Sequence, residues 1–191
     1  MNYANFITTL RLILAAIFTT VGSLDRIIPY AWVIASLLFL SASVSDWLDG
    51  YIARKMHTVT NLGKILDPLV DKVLVLTALV LFVEKNLVPA WIAIVMLSRE
   101  FLVTGIRVVA MSKGSVLSAT PLGKHKTLSQ FVAIILGLML LVLEELDYAR
   151  LAILAHVISE TLIWIFVWAM FLTLVSGMKY FFEVMKLFST Q

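Results

Sequence analysis

Four aspartates sit where an apolar chain should not carry charge. Asp46 and Asp49 are three residues apart, Asp67 and Asp71 four apart, and each pair is set among strongly apolar neighbours. On a helix either spacing puts both carboxylates on one face, one turn apart. Two helices joined by a short turn can aim all four acids into one cleft. Gathered without cations, they would repel one another and be driven toward protonation. A divalent ion resolves that conflict. With no cysteine in the chain and His57 the one nearby histidine, oxygen ligation favours Mg²⁺ or Mn²⁺ over zinc or copper, and four acids suit two ions. Magnesium shares its open positions with substrate phosphates, so the chemistry indicated is phosphoryl transfer. The competing account, that the acids cap helices or pair with Arg54, Lys64 and Lys72, serves for one aspartate and poorly for four at two helical spacings.

The residues between the acids are small. Gly50 follows Asp46 by four and Ala53 follows Asp49 by four, so the acidic face continues as nearly bare backbone that a bulky ligand can approach. Gly63 precedes Asp67 by four, where a small residue serves equally for close helix packing. Arg54 suits a diphosphate or lipid headgroups. Pro68 lies inside the second acid pair, which fits a position in the first turn of its helix.

The elements that must hold these groups are membrane helices. Of 191 residues 61% are hydrophobic and 14% charged, and the mean hydropathy is +1.00. A water-soluble fold carries about 25% charged residues, so the bilayer is the expected solvent. Six spans are predicted, roughly Ile7 to Leu24, Tyr30 to Ala53, Leu62 to Val83, Pro89 to Ala110, Pro121 to Leu143 and Leu151 to Val175. At ~20 residues per span the chain is too short for a large transporter of repeated bundles. It reads as one all-α domain over residues 1–191, with the first run a retained helix and not a signal peptide. Disulfide frameworks, thiolate metal sites and thiol catalysis are excluded by the lack of cysteine.

Charge sets the orientation. The first, third and fifth loops hold three basic residues against five acidic ones, and the other twelve basic residues fall toward the opposite side. By the positive-inside rule that basic side, with both termini and the acids, is cytoplasmic. The net charge of +3 therefore reflects topology and phosphate contact, not nucleic-acid binding.

Taken together the residues spell Asp46-x2-Asp49-Gly50-x2-Ala53-Arg54-x8-Gly63-x3-Asp67-x3-Asp71. This resembles the signature of the CDP-alcohol phosphotransferases at all eight fixed positions, and the resemblance extends over nearly the whole chain. It implies a six-helix integral membrane enzyme, usually a homodimer, that displaces CMP from a CDP-linked lipid with an alcohol. By position, Asp46, Asp49, Asp67 and Asp71 would bind the metal pair, Asp71 would also be the general base, and Gly50, Ala53, Arg54 and Gly63 would line the CDP site. Within the family, further stretches resemble the branch that makes phosphatidylglycerophosphate from CDP-diacylglycerol and sn-glycerol 3-phosphate. They are Asn5 to Arg11, although Ala4 replaces a proline and Ile7 a leucine, then Arg99-Glu100 with Gly105-Ile106-Arg107, and Gly123-Lys124-His125-Lys126-Thr127. An acceptor carrying a phosphate needs a second cationic pocket, and Arg107, Lys124 and Lys126 stand at the inner ends of the fourth and fifth spans. A bacterial inner membrane is the implied location.

Two rival readings stand beside this one. A relative could use inositol phosphate, serine or phosphatidylglycerol as acceptor. A divalent-cation transporter also uses intramembrane carboxylates, but predicts them through the membrane's depth, whereas these cluster at one side. Other conspicuous residues have plainer expectations. Arg99 pairs with Glu100 or a neighbouring helix. His156 and Glu160 form interhelical glue. Trp32, Trp91, Trp164 and Trp168 contact lipid. The tail from Lys179 to Lys186 lies as an amphipathic helix on the inner leaflet.

Overall fold

The computed structural model describes the backbone of residues 3–56, 61–112, 121–147 and 149–189, and the side chains of residues 9–45, 72–108, 123, 125–147, 150–178 and 180. Among these residues the chain is helical throughout, without a strand. The helices are α1 (Tyr3–Ser23), α2 (Ala31–Met56), α3 (Asn61–Glu84), α4 (Ala90–Ser112), α5 (Pro121–Leu146) and α6 (Ala152–Ser189), the last entered through a 3-10 turn at Ala149–Leu151. The all-α expectation is met, one helix for each predicted span. Two of the described stretches, His125–Leu146 in α5 and Ala152–Met178 in α6, are long and apolar enough to cross a membrane.

Local chemistry explains where the helices start and stop. Pro121 opens α5 at the position where a missing N–H costs nothing. The end of α3 is a Schellman turn: Asn86 adopts φ 59°, Leu87 N–H donates to Phe82 O at 2.9 Å, and Asn86 N–H donates to Val83 O at 3.1 Å. At the end of α5, Asp147 takes φ 46° and its N–H donates to Leu143 O at 3.2 Å, the simpler left-handed cap. The first turn of α2 is capped from a distance, since the Glu145 carboxylate accepts the N–H groups of Trp32 and Val33 at 3.1 and 3.2 Å.

Two helices run differently from the sequence expectation. Pro68 lies seven residues past the start of α3, not in its first turn. Membrane helices carry interior prolines because neighbouring groups re-satisfy the freed carbonyl. The segment after Val175 is no separate helix either. α6 runs unbroken for 38 residues, about 57 Å at 1.5 Å per residue, because no proline interrupts it and Gly177 is helical, packed against Arg99.

The helices meet in an apolar core. α5 packs along α6, α1 along α2 and α3, and α4 along α6 and α3. Phe18, Phe39, Phe82, Phe166, Ile92, Met96 and Leu162 are fully buried. The Phe82 and Phe166 rings meet edge-on at 6.1 Å. A Cβ on Gly137 would stand 2.7 Å from the Phe82 ring, so α5 needs glycine there to approach α3. The outside is apolar as well: Ile13, Leu37, Ile94, Leu102, Trp164 and Phe171 all face outward. That is the exterior of a membrane protein.

Trp91, Trp164 and Trp168 are exposed as expected, but Trp32 is buried and its indole N–H donates to Asp25 Oδ2 at 3.2 Å. It is a structural residue: Lys85 Nζ reaches the same Asp25 oxygen at 2.6 Å and lies 5.7 Å from the Trp32 ring. Burial pushes the Asp25 carboxyl up, but the hydrogen bonds from Lys85 and Trp32 and the Lys85 charge outweigh it and hold the group below its ordinary value. His156 and Glu160 are exposed on α6, so within one chain they do not bind helices together.

Candidate functional site

The backbone carries the acid pattern as two helix ends. Asp46, Asp49, Gly50, Ala53 and Arg54 lie in the last turns of α2, and Gly63, Asp67 and Asp71 in the first half of α3. Both pairs are on continuous helix, so each pair shares a helix face. Their side chains, like that of Lys124, lie outside the described residues.

Immediately after Asp71 the side chains are described, and they begin with a buried ion cluster. Glu100, in the middle of α4, is 3% exposed. Its carboxylate meets Lys72 Nζ of α3 at 2.9 Å and Lys126 Nζ of α5 in a direct contact. Arg99 Nη1 stands 3.5 Å from the same carboxylate, while its Nη2 donates to Ser176 Oγ of α6 at 2.7 Å. Arg99 thus does both things expected of it. A lone carboxylate at this depth would be strongly disfavoured; several surrounding cations make it tolerable and fasten α4 to α3, α5 and α6.

The cluster borders a cavity of about 260 Å³. Its polar lining includes Arg11 of α1, Ser43 of α2, Lys72 of α3, Glu100 of α4, and Lys126 and Gln130 of α5. Phe39 and Phe131, stacked at 6.0 Å, form part of its apolar wall. Of the predicted acceptor-site residues, Lys126 is therefore at the cavity. Arg107 is turned to α6, where its Nη2 donates to the Tyr180 hydroxyl at 3.0 Å and its guanidinium lies 5.6 Å from the ring. Among the described residues no three acids or histidines group closely enough to hold a metal.

Arg11, Lys72, Glu100 and Gln130 are cavity residues that the sequence reading did not assign to a site. Glu100 had a signal, a carboxylate in the middle of an apolar run. Lys72 reads from the sequence as a partner for the aspartates, and nothing in the spacing marks its reach to α4. Gln130 is an uncharged amide one turn after Lys126, and only burial reveals it.

Comparison with known proteins agrees with this geometry. Residues 1–176 match the family model described as CDP-alcohol phosphatidyltransferase. A Bacillus subtilis (strain 168) protein named CDP-diacylglycerol--glycerol-3-phosphate 3-phosphatidyltransferase is 42% identical over 190 residues, covering 94% of this chain and 93% of that one. A protein of the same name from Rickettsia bellii is 38% identical over 188 residues, 98% of this chain and 97% of its own. One from Haemophilus influenzae is 39% identical over 138 residues, 70% of this chain and 73% of its own. With the pattern residues at all eight positions, a cation-lined cavity whose Lys72 follows the last acid in sequence, and a family match over most of its length, the chain belongs to the CDP-alcohol phosphatidyltransferase family.

Proposed function

We propose that the protein transfers a phosphatidyl group from CDP-diacylglycerol to sn-glycerol 3-phosphate, giving phosphatidylglycerophosphate and CMP. The observation that carries this reading is the cavity shared by Lys72 and Lys126, with Lys72 directly following Asp71, the last acid of the pattern. A cationic pocket beside the acids suits an acceptor that brings its own phosphate. The similar proteins' names pair the same two substrates.

The donor set fits a divalent metal, since it is four carboxylates on two helix segments with no softer ligand beside them. Asp46, Asp49, Asp67 and Asp71 would hold Mg²⁺ or Mn²⁺, two ions, which when bound neutralise the diphosphate and stabilise the departing CMP. Gly50, Ala53 and Gly63 leave room for the CDP moiety, and Arg54 pairs with its phosphates. Asp71 takes the proton from the acceptor's primary hydroxyl as that oxygen attacks the phosphorus next to diacylglycerol. The bond from that phosphorus to the CMP oxygen breaks. Lys124 and Lys126 hold the acceptor phosphate, a role not extended to Arg107 because its guanidinium is turned to Tyr180. In this reading all six helices, 21 to 38 residues long, span a bacterial inner membrane. Both termini and the acids face the cytoplasm, residues 1–191 form one domain, and two copies make a homodimer.

The test is purified protein with CDP-diacylglycerol and Mg²⁺, offered sn-glycerol 3-phosphate, inositol phosphate, serine or phosphatidylglycerol in turn, with CMP release as the readout. Release with glycerol 3-phosphate well above the others is expected. Strong release with serine and none with glycerol 3-phosphate would defeat the acceptor assignment, and metal flux in liposomes without CDP-lipid turnover would favour a transporter.

A further inference from the structure

We propose that Gln130 reads the uncharged part of the acceptor, its side-chain amide donating a hydrogen bond to the secondary hydroxyl of the three-carbon phosphate. This rests on the acceptor reading above. Gln130 is 4% exposed, and its Nε2 is buried with no hydrogen-bond partner among the described residues. An amide left so within a membrane protein is costly, and native structures rarely tolerate one without a ligand or water to meet it.

Its surroundings say which ligand. Gln130 lines the same cavity as Lys126, and lying four residues further along α5 it shares that helix face about 6 Å further along the axis. The other polar groups there are of another kind or already engaged. Arg11, Lys72 and Lys126 are cations, the last two held by Glu100, and the Ser43 and Thr127 hydroxyls donate to Phe39 O at 2.8 Å and Gly123 O at 3.0 Å. An ammonium selects a phosphate; a neutral amide one turn further along selects a neutral hydroxyl. At about 260 Å³, against roughly 30 Å³ for a water in the liquid, the cavity admits a small polyol phosphate and not merely one bridging water. A group placed to bond a substrate hydroxyl discriminates against the analogue lacking it, because the amide is then left unpaired.

The experiment compares kcat/KM for sn-glycerol 3-phosphate with that for 3-hydroxypropyl phosphate, which keeps the phosphate and the primary hydroxyl and lacks the secondary one. The intact chain is purified in detergent and supplied with CDP-diacylglycerol and Mg²⁺. The wild-type protein is expected to prefer glycerol 3-phosphate by about tenfold or more, in line with one hydrogen bond to a buried donor. Q130L, close in volume and apolar, should cut that ratio about tenfold, whereas K126M should lower both acceptors alike and keep it. Q130N, which keeps the amide on a shorter arm, gives the same readout with a smaller fall and serves if the leucine variant is not recovered folded. A ratio in Q130L or Q130N within twofold of wild type overturns the assignment and leaves the amide to bound water. No product from glycerol 3-phosphate with the wild-type protein would instead bring down the acceptor reading, and this inference with it.

Discussion

Replacing Glu100 by glutamine keeps the shape of the side chain and deletes its charge, which removes the one carboxylate from a cluster of cations. The carboxylate is 3% exposed and meets two ammonium groups. Lys126 is nearly as buried as Glu100, but the Lys72 side chain is 29% exposed and can recover solvation, so its share resembles that of a surface pair, about 0–1 kcal/mol. The Lys126 share resembles removal of one member of a buried pair, about 3–5 kcal/mol, because a side chain only 4% exposed loses its carboxylate partner. We predict a loss of about 3–6 kcal/mol for Glu100→Gln, measured by SDS-induced unfolding of the protein in mixed micelles. The decisive comparison is the double variant Glu100→Gln/Lys126→Met. If the loss comes from the orphaned charge and not from a favourable pair, removing the second charge restores at least half of it. A single variant within 0.5 kcal/mol of wild type, roughly the scatter expected for harmless surface changes, or a double variant no more stable than Glu100→Gln, refutes the argument.

Three further outcomes are expected. Gly137→Ala should destabilise by about 1–3 kcal/mol, since its Cβ would fall 2.7 Å from the Phe82 ring, and Phe82→Leu in the same chain should relieve part of that; additive losses would show that the contact is not the cause. Asp67→Asn and Asp71→Asn should each lower CMP release at least ~100-fold, the latter with metal binding better preserved, and wild-type turnover in either returns these acids to a structural role. Because Asp25 is held below its ordinary value near 3.8, its contribution is present above that pH and is lost as pH falls through the lowered folded value. The stability gap between wild type and Asp25→Asn should therefore be constant near neutrality and shrink on acidification below about pH 4; a gap that widens there reverses the sign and rejects the assignment.

How much of this was legible beforehand depended on whether the information was local. Helix positions were, because apolar runs and their Pro, Asn and Gly punctuation are read along the chain: the Pro121 start and the Asn86 stop fall where the sequence places them. The acid pattern was legible for the same reason, as its spacings are helical ones. Contacts between distant segments were not. Nothing near Trp32 in the chain says that Glu145, 113 residues away, caps its helix, so an indole expected in lipid turned out to be buried. Arg107 read as an acceptor ligand from its place at a helix end, yet which way it turns depends on Tyr180, 73 residues further on.

Glu100 shows why the two kinds of information meet at the site. A bilayer protein gains little by burying apolar side chains against one another, since lipid is equally apolar, and depends more on close packing and polar pairs between helices. Placing one carboxylate against cations of α3, α4 and α5 therefore does two things at once. It draws those helices together, and it brings ammonium groups to a depth where a bare cation would be unstable, with Lys72 next in sequence to Asp71. An acceptor phosphate entering the cavity would then meet cations already held in position, which is the preorganisation that phosphoryl transfer between a lipid donor and a water-soluble acceptor requires.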